Sequence, residues 1–177
     1  MDHHSDHCLY WDPLFLQKPQ NPSPAVFRGM NEIYRAISTV FYAGYFPKAP
    51  GTFASAMAVV CYWLIPESGL QTQLFSIIIV TVIGIFTSGK TAEYLNIKDP
   101  SVIVIDEVSG MWISLLLLPK NLVVYVIAFI LFRILDIAKP LWINSVQNFP
   151  GGIGIMADDI LAGLITCLLL HTGLILL

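Results

Sequence analysis

Five long apolar runs, with charged residues gathered at their ends, constrain this chain more than any other feature. Hydrophobic residues make up 56% of its 177 residues and charged residues only 12%. Apolar runs of about 18–25 residues can cross a bilayer as helices, and shorter runs do so only with help from flanking residues. The pattern predicts an all-α, polytopic membrane helix bundle of about four to five transmembrane helices. The runs cover residues 53–65, 70–88, 101–118, 121–135 and 153–177.

The N-terminal part of the chain has a different composition. Residues 1–28 are polar and Pro-rich, which predicts a mobile tail, and residues 29–177 are predicted to form the membrane-embedded domain. The stretch 29–46 is partly amphipathic and could lie at the interface or begin the bundle. No cleavable signal peptide is expected, because no apolar segment follows a basic start. The nine Lys and Arg residues are spread along the chain, so we expect no nucleic-acid partner.

The distribution of positive charge predicts the orientation. Lys and Arg concentrate in the cytoplasmic segments of membrane proteins. With a cytoplasmic N-terminus and five spans, Lys120 is the only Lys or Arg residue in a segment on the outer side of the membrane. The cytoplasmic segments then hold Lys18, Arg28, Arg35, Lys48, Lys90, Lys98, Arg133 and Lys139. The same arrangement places every charged cluster on the cytoplasmic side, which predicts a multi-pass membrane protein with its polar site facing the cytoplasm.

Three charged clusters at the ends of the runs are the candidate site. A charged side chain in the centre of a bilayer costs about 2.5–3.5 kcal/mol even on the lenient insertion scale, so such residues are often functional. Five carboxylates and two cations are the kind of ligands that suit Mg²⁺ and a phosphate. Each cluster alone also fits a structural role, as an interfacial pair, a snorkelling ion pair or acids at a helix start. The clusters are Asp106 with Glu107, Arg133 with Asp136 and Lys139, and Asp158 with Asp159.

A loop before the first run adds a possible phosphate-binding element. Residues 46–52 contain two prolines and a glycine just before a predicted helix. A helix start offers free backbone N–H groups and a positive dipole end, which suit a phosphate, and Lys48 adds a charge. A plain membrane-entry loop remains the alternative.

Two other functional classes fit parts of the pattern. Residues 84–91 match the Walker A pattern, and residues 102–107 resemble a Walker B strand, as in a P-loop nucleotide-binding protein. Only 15 residues separate Lys90 from Asp106, which is short for the helix and strand of that fold. A small ion- or proton-coupled transporter would explain intramembrane acids, although it would leave Arg133 and Lys139 without a role.

Four motifs in order make the chain resemble the phosphatidylglycerophosphatase A family of bacterial membrane lipid phosphatases. They read PKAPGT at 47–52, IDEVSGMWI at 105–113, FRILDIAKP at 132–140 and GGIGIMADDILAG at 151–163. The similarity covers roughly residues 38–170. It implies Mg²⁺-dependent hydrolysis of phosphatidylglycerophosphate, a phosphoric monoester, to phosphatidylglycerol and phosphate at the cytoplasmic face, in phospholipid and cardiolipin biosynthesis.

The resemblance also suggests a role for each residue of the site. Asp136 is expected to orient Arg133 or to complete the metal shell, and the apolar faces of spans three to five to hold the acyl chains. The sequence is compatible with two mechanisms, attack on phosphorus by water and attack by a carboxylate. Relatives usually read Lys-Pro-Trp-Pro where this chain has Leu141 and Trp142 after Lys139 and Pro140, and the linker 141–150 here carries no charge. The catalytic residues are expected to be Asp106, Glu107, Asp136 and Asp159, the Mg²⁺ ligands Asp106, Glu107, Asp158 and Asp159, and the substrate-binding residues Lys48, Pro50, Gly51, Thr52, Arg133 and Lys139.

Overall fold

The computed structural model describes residues 29–65, 69–138 and 149–176. These ranges contain six α-helices, one 3-10 helix and no β-strand, so the all-α prediction is confirmed for them. The predicted tail 1–28 lies outside the described residues. In chain order the elements are α1 (Glu32–Ser38), the 3-10 helix (Ala43–Tyr45), α2 (Pro50–Leu64), α3 (Leu70–Leu95), α4 (Ile105–Ser114), α5 (Leu122–Ala138) and α6 (Gly152–Leu176).

Two of these helices, α3 and α6, are long and apolar enough to cross a membrane. α2 is apolar but has only 15 residues, and α5 has 17. The third predicted span, 101–118, is helical over only the ten residues of α4. Its first residues are held outside the helix by backbone hydrogen bonds, from Ile103 N to Pro100 O and from Val104 N to Ser38 O. Helix length alone therefore does not confirm four to five spans.

The outer surface of the bundle is apolar, as expected for contact with lipid. In α3 only 17% of the most hydrophobic stretch is buried within the protein. A continuous apolar face of this kind is unusual for a protein surrounded by water. In a bilayer, lipid tails would cover this apolar face, so that it would not be exposed to water. Exposed side chains on α3 include Phe75, Ile78, Ile79, Val82 and Phe86.

α4 and α6 cross at two glycines, and this crossing organises the core. A Cβ atom on Gly110 would lie 2.5 Å from the carbonyl oxygen of Asp159, and one on Gly163 would overlap the carbonyl oxygen of Gly110. Small residues let membrane helices approach closely, which increases van der Waals contact between them. The first turns of both helices are consequently held side by side.

Gly163→Ala is expected to lower the free energy of unfolding by about 1–3 kcal/mol, the usual cost of overpacking a tight contact. The added methyl group would push α6 away from the Gly110 backbone. Gly173→Ala is the matched control in the same helix, because a Cβ there has no neighbour within 4 Å. Thermal unfolding in detergent should therefore show a lower Tm for Gly163→Ala alone, and equal Tm values for the two variants would contradict this account of the crossing.

The Walker A match lies inside a continuous helix. All of residues 84–91 belong to α3, and its glycines are packing positions: a Cβ on Gly84 would meet Met156, and one on Gly89 would lie 3.0 Å from Gly152 N. The proposed Walker B segment runs into α4 rather than forming a strand. A P-loop needs a strand, a glycine loop and then a helix, so the nucleotide-binding alternative is wrong.

The bundle has two chemically different ends. The N-termini of α2, α4 and α6 and the C-terminus of α5 meet at one end, which we call the polar end. At the other end, Lys120 donates hydrogen bonds through Nζ to the carbonyl oxygens of Trp63 (3.1 Å) and Ile65, near the C-terminus of α2. A cation at a helix C-terminus is stabilised by the helix dipole, which gives Lys120 a structural role.

Candidate active site

Three carboxylates from two helices meet at the polar end. Asp106 and Glu107 lie in the first turn of α4, and Asp159 lies near the start of α6. One carboxylate oxygen of each lies within 4.8 Å of the others. The close crossing at Gly110 and Gly163 brings them together, since Gly110 packs against the backbone of Asp159 itself.

The oxygens of this group are suited to a divalent cation. Asp106 Oδ1, Glu107 Oε2 and Asp159 Oδ2 are buried and accept no hydrogen bond from any described residue. Burying several carboxylates without compensation is strongly unfavourable, because the charges lose hydration and repel each other. A hard cation with oxygen ligands, such as Mg²⁺, would remove both penalties. Asp158, also predicted as a ligand, is buried but lies outside this group of three.

A guanidinium group lies beside the acids. Arg133 Nη1 forms an ion pair with Asp136 Oδ2 at 2.6 Å, one turn further along α5. Both side chains are largely buried, with 14% and 10% of their surfaces exposed. An ion pair this short fixes the position of the guanidinium, so α5 presents a positive charge to the carboxylate group from a defined direction.

The N-terminus of α2 closes the site through Gly51. A Cβ at Gly51 would overlap Glu107 Oε1 and lie 3.3 Å from Arg133 Nη1, so only glycine lets the backbone touch both groups. Pro50 occupies the first turn, and the N-cap residue Ala49 forms no side-chain cap. The first N–H groups of an uncapped helix lack intrahelical acceptors. They are therefore suited to bind an anion beside Arg133.

The structure brings most of the predicted residues together. Thr52 follows Gly51 in the first turn of α2 and is partly buried. Lys48 is exposed, and among the described residues it forms no hydrogen bond or ion pair with the acids. Its expected role in substrate binding therefore stays a prediction. Lys139 lies outside the described residues.

Ser55 is a site residue that the sequence did not reveal. Its Oγ donates a hydrogen bond to Gly51 O at 2.8 Å and accepts one from Arg133 Nη1 at 3.3 Å. Its side chain is fully buried. Serine in an apolar helix commonly bonds to the carbonyl four residues earlier, so its identity gave no signal. Its only clue was its position one turn after Gly51.

Comparison with known proteins identifies related sequences. The family model described as Phosphatidylglycerophosphatase A matches residues 36–174. A Bacteroides thetaiotaomicron protein with the provisional name phosphatidylinositol-3-phosphatase is 40% identical over 76% of this chain and 89% of its own length. The Phosphatidylglycerophosphatase A of Escherichia coli K12 is 37% identical over 80% of this chain and 84% of its own length. The Phosphatidylglycerophosphatase A of Haemophilus influenzae is 32% identical over 70% of this chain and 78% of its own length. No solved structure matches significantly.

Proposed function

This chain belongs to the phosphatidylglycerophosphatase A family, and we propose that it hydrolyses the terminal phosphomonoester of phosphatidylglycerophosphate, a membrane lipid. The observation that carries the proposal is the buried group formed by Asp106, Glu107 and Asp159, with Arg133 and the start of α2 beside it. Such a site matches a substrate that carries a compact, doubly charged phosphate. The transporter alternative accounts for the acids but not for the fixed guanidinium.

Asp106, Glu107 and Asp159 would hold the Mg²⁺ ion, with Asp158 as a further candidate ligand. When bound, the ion supplies Lewis acidity towards a phosphoryl oxygen. Each of the three carboxylates has one buried oxygen that accepts no hydrogen bond from the described residues, which supports this assignment.

The remaining residues bind and orient the phosphate. Arg133 would contact the phosphoryl oxygens and offset the charge that develops in the transition state. Asp136 and Ser55 hold its guanidinium in place before the substrate arrives. The N–H groups around Gly51 and Thr52 would contribute further donors, with Pro50 fixing the helix start. Lys48 and Lys139 would attract the anionic headgroup.

Phosphatidylinositol 3-phosphate is a second candidate substrate. The relative named for hydrolysis of such a lipid is 40% identical to this chain. Both lipids carry a phosphomonoester on a polyol headgroup, so the site described above suits either.

We place the active site at the cytoplasmic face of a bacterial inner membrane, with five chain crossings. α3 and α6 supply the two crossings that their length supports. Lys90 and Lys98 lie at or just after the C-terminal end of α3, and Arg133 lies at the polar end, whereas Lys120 lies at the other end. This asymmetry agrees with the positive-inside rule.

Phosphate release by the purified protein in detergent tests the activity. Phosphatidylglycerophosphate, phosphatidylinositol 3-phosphate and ATP would each be offered with Mg²⁺ and with EDTA. We expect release from a lipid only, and loss of that release with EDTA. The ratio of kcat/KM for the two lipids identifies the preferred substrate. Release from ATP alone, or lipid hydrolysis that persists in EDTA, would contradict the proposal.

Ser55→Ala should lower kcat/KM about tenfold, because Arg133 loses a hydrogen bond, and such bonds to charged groups contribute about 1.5–3 kcal/mol. Inhibition by inorganic phosphate should weaken by a similar factor. Ser114→Ala is the matched control: Ser114 is equally buried and bonds to Gly110 O, four residues earlier, at 2.9 Å, but contacts no charged group in the described residues. Equal effects of the two substitutions on phosphate inhibition would assign Ser55 a purely structural role.

A further inference from the structure

An apolar groove runs along the outer surface between α2 and α5. Its volume is about 340 Å³, within the range of small-ligand pockets, about 300–1,000 Å³. The sequence suggested the apolar faces of spans three to five for the acyl chains, and the groove combines one of these, α5, with α2, which was not among them. Its walls include Ala56, Val60 and Trp63 from α2, and Tyr125, Val126 and Phe129 from α5.

The two helices touch at both ends of this groove. At the polar end Arg133 Nη1 donates a hydrogen bond to Ser55 Oγ at 3.3 Å. At the other end the rings of Trp63 and Tyr125 meet edge to face at 5.2 Å. Between these contacts the small side chains of α2 leave the helices apart. The groove is therefore built into the packing of two antiparallel helices.

One end of the groove lies close to the candidate active site along both helices. Ala56 directly follows Ser55, which contacts Arg133. Phe129 precedes Arg133 by four residues, or about one helical turn. From Ala56 to Trp63 the groove extends about 10 Å along α2, at 1.5 Å per residue. A molecule whose phosphate contacts Arg133 would therefore have one end of the groove within about one helical turn of its headgroup.

We propose that this groove binds one acyl chain of the lipid substrate and thereby positions the headgroup phosphate at Arg133. The proposal rests on the proposed function. The chain would leave one apolar environment, the bilayer, for another, so the hydrophobic effect supplies little affinity. The gain is close van der Waals packing and a fixed orientation of the scissile phosphate.

Filling the groove tests this assignment. Val126→Trp places a large ring in the groove, and Ile127→Trp is the matched control, because the two positions are 47% and 43% exposed on the same helix and Ile127 does not line the groove. Substrates with two palmitoyl or two hexanoyl chains would be compared. We expect Val126→Trp to lower the palmitoyl-to-hexanoyl ratio of kcat/KM about tenfold. The added ring would displace the long acyl chain, and the phosphate attached to it would then be misplaced at Arg133. Val60→Trp should act in the same way.

The possible outcomes separate the two proposals. Wild-type protein that hydrolyses neither lipid would overturn the proposed function. Hydrolysis of both lipids with a ratio that is equal in Val126→Trp and Ile127→Trp would overturn the acyl groove alone. A change in oligomeric state by light scattering in Val126→Trp, with that ratio unchanged, would assign the groove to a second copy of the chain.

A binding measurement needs no groove-filling variant. Bromine atoms on the acyl chains of phosphatidylglycerophosphate should quench Trp63 fluorescence saturably in detergent, and Trp63→Phe should remove that component. Brominated phosphatidylcholine, which lacks a terminal phosphate, should give no saturable quenching. Equal quenching by both lipids would identify the groove as an ordinary contact with surrounding lipid and overturn the proposal.

Discussion

Asp159→Asn should reduce kcat/KM on the order of 10³-fold, the scale at which a group that stabilises transition-state charge contributes. The amide keeps the shape of the side chain but removes one of three closely spaced charges. Retention of more than a tenth of the wild-type activity would remove Asp159 from the site. Glu93→Gln is the isosteric control, because Glu93 pairs with Lys90 at 2.9 Å on an exposed part of α3, and should leave activity unchanged.

The stability of the same variant should change in the opposite direction. In EDTA, Asp159→Asn should unfold at a higher temperature than the wild type, because it relieves repulsion among buried carboxylates. With Mg²⁺ present the wild type should gain stability, since a ligand that binds only the folded state raises its Tm, whereas the variant should gain little. A wild-type Tm that does not respond to Mg²⁺ would contradict a metal site at Asp106, Glu107 and Asp159.

Arg133→Met should have the second largest effect, on activity and on stability together. Removing one partner of a buried ion pair costs about 3–5 kcal/mol, because the other charge is left uncompensated. Here Asp136 would also repel Glu107 and Asp159, which lie within electrostatic reach. Activity should fall about 10²–10³-fold with the loss of a donor to the phosphate. Phosphate release and thermal unfolding in detergent measure the two effects.

The double variant Arg133→Met with Asp136→Leu separates the two roles of the arginine. Without either buried charge, the protein should regain most of the lost stability. It should remain inactive and insensitive to inorganic phosphate, because no guanidinium contacts the substrate. Recovery of activity in the double variant would show that Arg133 serves only to neutralise Asp136.

The hydrophobic pattern predicted helix positions better than helix lengths. The run 153–177 became α6 with almost unchanged bounds, because its residues stay largely apolar from Ile160 to the end after the early pair Asp158 and Asp159. The run 70–88 continues as a helix to Leu95, since a helix propagates through polar residues until a cap such as the left-handed Asn96 ends it. The run 101–118 is helical only over α4, because hydrogen bonds from elsewhere in the fold hold its first residues in an irregular conformation. Apolar composition predicts burial in lipid but not these tertiary bonds.

The kinds of residue in the candidate site were determined by the sequence alone. A charge beside a lipid-spanning segment is expensive in any arrangement of the helices, so Asp106, Glu107, Arg133, Asp136 and Asp159 stood out before any fold was known. The tertiary structure decided which of these residues meet. Neighbours such as Asp158 and Asp159 point about 100° apart around a helix, and the glycine crossing of α4 and α6 turns Asp159 towards the other acids. The contacts of Gly51 and Ser55 were equally invisible in the sequence, because they depend on how closely α2 approaches α4 and α5.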